Sequence, residues 1–298
     1  MWNFLDPAVI ARLSRLQLPV RLPMLGSVTG LHVSATRGSS VEFAEYRKYV
    51  PGDDIRFIDW RVFARTDRFY MKEFEADTNL RCYLVLDTSA SMGFAGVDGV
   101  TRFDYARKVT ATLAHMLVNQ GDAVGLCCFA EKAIREIPPR HTASHLRTMY
   151  DLLASATPQG GTELTTVLHD LAERIRGRAL VIVISDLLTE VPGLLECFKH
   201  LRFYRHDVSA FHLLDKQEMD FDFSRPVRFV DMETGADIIT DPTISGDGYR
   251  KALADYLVDM KQGCREFHVD YHLVDTAESY ENVLAQFLLQ RLRRKKGR

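Results

Sequence analysis

The sequence predicts an α/β protein, a Rossmann-like, doubly wound and mainly parallel sheet carrying an N-terminal elaboration. Three observations lead there. From Leu80 onward, short runs that are apolar almost throughout alternate with stretches whose apolar residues recur at helical spacing. That order is expected of a parallel sheet covered on both faces. Residues 1–78 lack long apolar strands and are rich in Arg, aromatic and acidic side chains, so they read as a wrapping segment and not as a second core. The chain has 298 residues, 46% hydrophobic and 26% charged, which is enough for a large core and too apolar for a disordered class. The expected division is 1–78 for the N-terminal segment and 79–298 for the α/β domain.

In chain order, Val9, Leu13 and Leu16 mark a short helix closed by Pro19. Residues 41–76 interleave Tyr46, Tyr49, Phe57, Trp60, Phe63, Phe69 and Tyr70 with seven basic and eight acidic side chains. The balance favours internal ion pairs and cation–π packing over a phosphate track, with Arg56, Asp59 and Trp60 clamping this segment to the sheet. The runs Leu80–Leu86, Ala123–Phe129, Ala179–Ile184, Val208–Leu214 and Phe267–Val274 are continuous enough in Val, Leu, Ile, Cys and Phe to be strands buried on both faces. Between them, Phe103, Ala106, Val109, Leu113 and Leu117 form one helical face, as do Leu164, Val167, Leu168, Leu171 and Ile175, and then Leu194, Phe198 and Leu201. Thr101, with Asp104 three residues later, supplies a capping-box-like start for the first of these helices. Residues 225–241 predict a hairpin insertion turning near Glu233 to Gly235, followed by helices over Tyr249–Lys261 and Tyr280–Arg291. From Arg291 to Arg298, six residues in eight are basic, which reads as a solvated, frayed end.

Composition narrows the function. A formal net charge of -2 leaves no bulk electrostatic case for a nucleic-acid or membrane-surface binder. The five cysteines are odd in number and scattered, which fits buried thiols in a reducing compartment better than a disulfide framework or a metal knuckle. Neither an apolar leader core nor a run of about 18 apolar residues occurs, so a cytoplasmic protein is expected. The ten histidines show no ligand spacing.

In an open α/β sheet, ligands gather outside the carboxyl ends of the strands. After the first long strand comes Asp87-Thr88-Ser89-Ala90-Ser91, a D-x-S-x-S turn; Gly160-Gly161-Thr162 precedes a helix; and the run Ala179–Ile184 ends in Ser185-Asp186-Leu187. Two carboxylates and three hydroxyls suit a hard divalent cation such as Mg²⁺ or Mn²⁺, which takes oxygen ligands and keeps positions for water. With three neutral donors the ion is not saturated by protein charge, and a partner's carboxylate is a favourable last ligand. Taken alone, D-x-S-x-S reads as helix capping, since Asp and Ser are common cap residues. The joint occurrence of Thr162 after two glycines and Asp186 at a strand end favours the metal site.

This five-residue pattern resembles the metal-ion-dependent adhesion site of the von Willebrand factor A fold, over about residues 79–215. The resemblance implies that Asp87, Ser89, Ser91, Thr162 and Asp186 are the metal-site residues. A narrower likeness lies upstream in Arg37-Gly38, Glu42-Phe43, Arg47-Lys48-Tyr49, Pro51-Gly52-Asp53-Asp54, Arg56, Ile58-Asp59-Trp60, Ala64-Arg65 and Lys72-Glu73-Phe74-Glu75. It resembles the bacterial domain-of-unknown-function family numbered 58, in its short soluble branch, and makes residues 1–78 a family-specific segment. What the resemblance implies is a metal-dependent protein-binding adaptor or co-chaperone, working with a MoxR-type AAA+ ATPase and with a client protein that donates a carboxylate. It also implies no catalytic activity of its own.

A metal-dependent hydrolase using Asp87 and Asp186 is the alternative, but no general acid or base with a placed partner accompanies them. In haloacid-dehalogenase phosphatases the position two residues after the nucleophilic Asp is a second Asp, whereas here it is Ser89. Neither Ser89 nor Ser91 lies in G-x-S-x-G, and no Walker A or G-x-G-x-x-G run occurs, so nucleotide hydrolysis belongs to a partner.

Overall fold

A computed structural model of the chain describes residues 2–16, 18, 28–33, 42–49, 59–75, 77–78, 80–96, 98–131, 135–221, 223, 225 and 227–296. The chain forms two compact units, Met1–Arg21 with Arg81–Arg298, and Leu22–Leu80. The first 21 residues therefore belong with the α/β body and not with the segment that follows them, a difference from the division expected at residue 78. The reason is local: α1 (Pro7–Leu13), capped by the Asp6 carboxylate, buries Val9 and Leu13 against two helices of that body.

The smaller unit holds β1 (Val28–Val33), β2 (Glu42–Lys48), α2 (Trp60–Thr66), β3 (Tyr70–Glu75) and β4 (Asp77–Thr78), with β1 antiparallel to β4 and β2 antiparallel to β3. Asp59 caps α2 through its carboxylate. Its aromatic residues pack on one another: Phe63 stacks on Phe69 with centroids 4.4 Å apart, and Trp60 meets Phe63 edge-on at 6.0 Å. Trp60 is 58% exposed. Arg56 and most of the side chains on which the ion-pair expectation falls lie outside the described residues.

The larger unit continues with β5 (Arg81–Asp87), α3 (Arg102–Asn119), β6 (Ala123–Phe129), β7 (Arg135–Arg140), α4 (Ala143–Ser155), α5 (Leu164–Arg174), β8 (Leu180–Ser185), α6 (Val191–Phe203), β9 (Asp207–Leu214), α7 (Lys216–Asp220), β10 (Val227–Val230), β11 (Asp237–Thr240), α8 (Pro242–Glu266), β12 (Asp270–Asp275) and α9 (Tyr280–Lys296). Six strands form one sheet in the order β12-β9-β8-β5-β6-β7, parallel except for β7. This is the doubly wound, mainly parallel sheet expected from the apolar runs. On one face Val85, Phe129, Val181, Val183 and Ala210 pack against Leu168 and Leu171 of α5, Phe198 of α6 and Met260 of α8. On the other, α3 packs with α1, α4 and α9, and Phe287 of α9 meets Phe211 of β9 at 5.0 Å. All five cysteines are buried free thiols.

Three differences from the sequence reading have physical causes. β7 carries Pro138 and Pro139 and shows no apolar run; proline lacks the ladder donor and is tolerated here because the strand is at the edge. The apolar run from Phe267 is not strand throughout, because α8 extends to Glu266 and His268 turns through φ 56° before β12 begins at Asp270. The expected tail also divides, since Arg291 is 3% exposed and bonded inside the sheet edge. The hairpin within 225–241 pairs β10 with β11, Val227 opposite Thr240 and Val230 opposite Asp237.

Burial of two histidines beside and within β9 sets a pH dependence. His206 is pushed down to about 4 and His212 to about 3, in each case chiefly by burial, with Arg202 and Arg102 respectively adding repulsion. Unfolded imidazole titrates near 6.5. Below about pH 6.5 the unfolded chain therefore takes up protons that the native state refuses, and stability present above that pH falls as the solution is acidified, by up to about 1.4 kcal/mol per pH unit and histidine. Urea midpoints measured from pH 7.5 to pH 5 are expected to fall, and to fall less steeply for His206→Gln; an unchanged slope in that variant would remove His206 from the account.

Candidate metal centre

Chain direction places the site. β6, the strand after β5, lies on one side of it, whereas β8 lies on the other side and is reached only after β7, α4 and α5. The carboxyl ends of β5 and β8 thus border the topological switch point, where connections leaving in opposite directions open a crevice. Asp87 ends β5 and Asp186 follows β8, at 0% and 1% exposure.

Each carboxylate is held by its own loop and by a side chain from another element. Asp87 Oδ1 accepts from the Ser89 backbone N–H at 2.8 Å, and Oδ2 accepts from the Ser185 hydroxyl at 2.6 Å. Ser185 Oγ also accepts from the Leu187 N–H at 2.9 Å, within a turn where Leu187 adopts φ 49°. The Tyr256 hydroxyl of α8 donates to the Leu187 carbonyl and holds that turn. Asp186 accepts from the Leu188 N–H at 3.3 Å on one oxygen and from Arg102 Nη1 at 2.6 Å on the other. Arg102, at 2% exposure, also pairs with Glu218 of α7 and lies 5.0 Å from the Phe94 ring centre.

The Ser89 and Ser91 hydroxyls are 3.0 Å apart. Ser89 opens a short helical turn, Ala90–Gly93, without capping it by its side chain. The loop carrying Thr162 is tied to the same place through backbone bonds, Ala90 N–H to Gly160 O at 2.8 Å and Gln159 N–H to Thr88 O at 2.9 Å. Gly160 takes φ 74°, a conformation that costs glycine little and other residues more. Helix α5 is N-capped by Glu163, again without a side-chain bond, and Thr162 Oγ1 is buried with no hydrogen-bond partner. Capping therefore explains neither Ser89 nor Thr162. By contrast, Thr101 does cap α3, accepting from the Asp104 N–H at 2.9 Å, although the Asp104 carboxylate turns to Arg107 and leaves the box half made.

Burial and the neighbouring Asp186 push the Asp87 carboxyl up to about 7, against the bonds from Ser185 and Ser89 that favour its charge. Such a carboxyl pair is a place where a cation is electrostatically welcome. Among the described residues no three His, Cys, Asp or Glu side chains stand together as a metal cluster. A cation here draws on hydroxyls and water besides the two carboxylates, a donor set that suits Mg²⁺ or Mn²⁺ and not the N and S ligands of structural zinc. The orphaned Thr162 oxygen fits that donor set, because a buried oxygen left without a donor is costly.

Over residues 45–255 the sequence matches the family model described as protein of unknown function DUF58. The chain belongs to the DUF58 family. It is 30% identical over 256 residues to the uncharacterized protein Rv1480 of Mycobacterium tuberculosis, covering 84% of this chain and 79% of that one. The same figures hold for the uncharacterized protein Mb1516 of Mycobacterium bovis. Among solved structures, an aerotolerance-related membrane protein from Bacteroides fragilis superimposes with a TM-score of 0.50 at 18% identity, over 71% of this chain and 100% of that one, which speaks to the fold alone. In this DUF58 protein no helix among the described residues is long and apolar enough to cross a membrane.

Sequence reasoning overlooked three side chains in this DUF58 site. Ser185 stood in the strand-end motif, and its bond to Asp87 is the role that was missed. Arg102 and Tyr256 left only faint signals, a charge in the first turn of an otherwise apolar helix face and one of two tyrosines in a long helix, because their partners come from the distant loop after β8.

Proposed function

We propose that this DUF58 protein is a metal-dependent protein-binding adaptor, in which Asp87, Ser89, Ser91, Thr162 and Asp186 hold Mg²⁺ or Mn²⁺ at the switch point. The observation that carries the reading is the buried Thr162 hydroxyl, which serves neither a helix cap nor any other protein group and belongs to a loop tied by backbone bonds to the turn that follows Asp87. When bound, the ion supplies a Lewis-acidic position that accepts a carboxylate from a second protein. The chain's residues do the rest: Ser185 aims Asp87, Arg102 moderates the charge of Asp186, and the Gly160 turn sets the Thr162 loop against the Ser89 turn. The partner in this reading is a MoxR-type AAA+ ATPase, which would contribute the nucleotide chemistry, with a client protein bound through an acidic side chain.

The test uses purified full-length protein. Mg²⁺ or Mn²⁺ is expected to raise the melting temperature by mass action on the native state, chelator to reverse it, and Asp87→Ala to abolish it. Capture of the AAA+ ATPase should be lost in the same variant while its circular dichroism stays near wild type. Thr162→Ala should lower cation affinity with little loss of stability, whereas removal of a cap would cost about 1 kcal/mol and leave the cation alone. Coincident melting curves with and without metal would defeat the proposal. So would turnover of phosphoester or ester substrates by the isolated protein that disappears in Asp87→Ala, since that result belongs to a hydrolase with a metal-activated water.

A further inference from the structure

The hairpin β10–β11 ends in a turn that the adaptor reading does not use. Asp231 shapes it, accepting from the Glu233 N–H at 2.9 Å and from the Thr234 hydroxyl at 2.5 Å, while the Gly235 N–H bonds to the Asp231 carbonyl at 2.8 Å and Gly235 takes φ 74°. A turn braced in this way presents its second residue outward in a fixed direction. That direction leads to the switch point. A side-chain carbon added at Gly161, next to Thr162, would stand 3.5 Å from Glu233 Oε2, and one added at Gly93, at the end of the Ser89–Ser91 turn, would stand 3.3 Å from Met232 Cε. The turn therefore lies over both hydroxyl-bearing loops. The Glu233 carboxylate lies near the Thr162 backbone and the Ser91 side chain and feels the charge of Asp186.

Charge makes this placement unusual. Asp186 is paired with Arg102, as is Glu218, and both Asp87 and Glu233 feel the charge of Asp186. A further carboxylate brought by an insertion against two buried ones is repulsive unless a cation joins them. Resting on the metal-site reading above, we propose that Glu233 is an in-chain ligand: its carboxylate completes the oxygen shell of the bound cation, and a partner's acidic side chain binds by displacing it. The hairpin is then a tethered competitor. At the high effective concentration of a short tether, weak external carboxylates lose to Glu233, and a partner succeeds only when further contacts accompany its acidic residue.

Mn²⁺ binding to the full chain, followed by calorimetry, separates the possibilities, with hydrogen exchange of the backbone amides at 231–236 as a second readout. In wild type, Mn²⁺ should slow exchange in that turn, and in Asp87→Ala it should not. Glu233→Ala should weaken Mn²⁺ by about ten-fold or more, and millimolar acetate should restore the affinity in this variant while leaving wild type unchanged. Glu233→Gln, which keeps the size and hydrogen-bonding ability of the side chain, should behave as Glu233→Ala does and guards against a mere packing effect. If Mn²⁺ binds wild type and Glu233→Ala equally and only Asp87→Ala loses it, the in-chain ligand is refuted and the metal site survives. If wild type binds no Mn²⁺, both fall together.

Discussion

Replacing Arg291 by Met is expected to lower the unfolding free energy by about 3–5 kcal/mol, the cost of leaving buried charges without their counter-ion. Arg291 stands on α9 at 3% exposure, and its guanidinium reaches Asp270 at 3.0 Å, the Ser209 hydroxyl at 2.9 Å and Asp207. Asp207 and Asp270 begin the neighbouring parallel strands β9 and β12 and are 2% and 3% exposed. One cation thus faces two buried carboxylates, and Met fills a similar volume while supplying no charge. Urea denaturation measures the loss. The mechanism is checked by Arg291→Met combined with Asp207→Asn and Asp270→Asn, which should recover a large part of the stability, because a neutral cluster no longer needs the guanidinium. A triple variant no more stable than the single one would assign the cost to packing.

Arg102→Met is expected to have an effect of similar size in chelator, about 3–5 kcal/mol, because it strands Asp186 at 1% exposure and removes the partner of Glu218. The loss shrinks when metal is present. Arg102 is a fixed positive charge 2.6 Å from a carboxylate of the candidate centre, so it repels any cation placed there. Without it, Mg²⁺ or Mn²⁺ should bind more tightly than to wild type, and the melting-temperature rise on adding metal should be larger. Thermal melts of both proteins with chelator and with saturating Mn²⁺ give the comparison. An equal metal-induced rise in the two would mean that Arg102 and the cation do not share a field, and the assignment of Asp186 as a ligand would fail with it.

The guanidinium of Arg102 also illustrates where reading residues in order stops. Its contact with Asp186 spans 84 positions of the chain, as does that of Arg291 with Asp207. Periodicity is a local signal, and from it Arg291 looked like the first of a basic tail. Only the docking of α9 beside β9 and β12 shows a side chain whose charge is consumed inside.

What the sequence by itself determined is the alternation of buried strands with one-faced helices, and with it the sheet and the three loops carrying Asp87 and Ser89, Thr162 and Asp186. Buried strands are forced by continuous apolarity, and the residues that follow them must lie at the sheet's carboxyl edge. Composition and spacing also located the 225–241 hairpin, through its turn residues. Tertiary structure alone decided that this hairpin's Glu233 lies over the hydroxyl loops, that Ser185 joins Asp87, that β7 closes the sheet despite its prolines, and that Met1–Arg21 join the larger unit. Each of these rests on which distant segments meet when the strands pair and the helices dock. Such meetings depend on shape and on charge balance across distant segments, and neither leaves a period in the order of the residues.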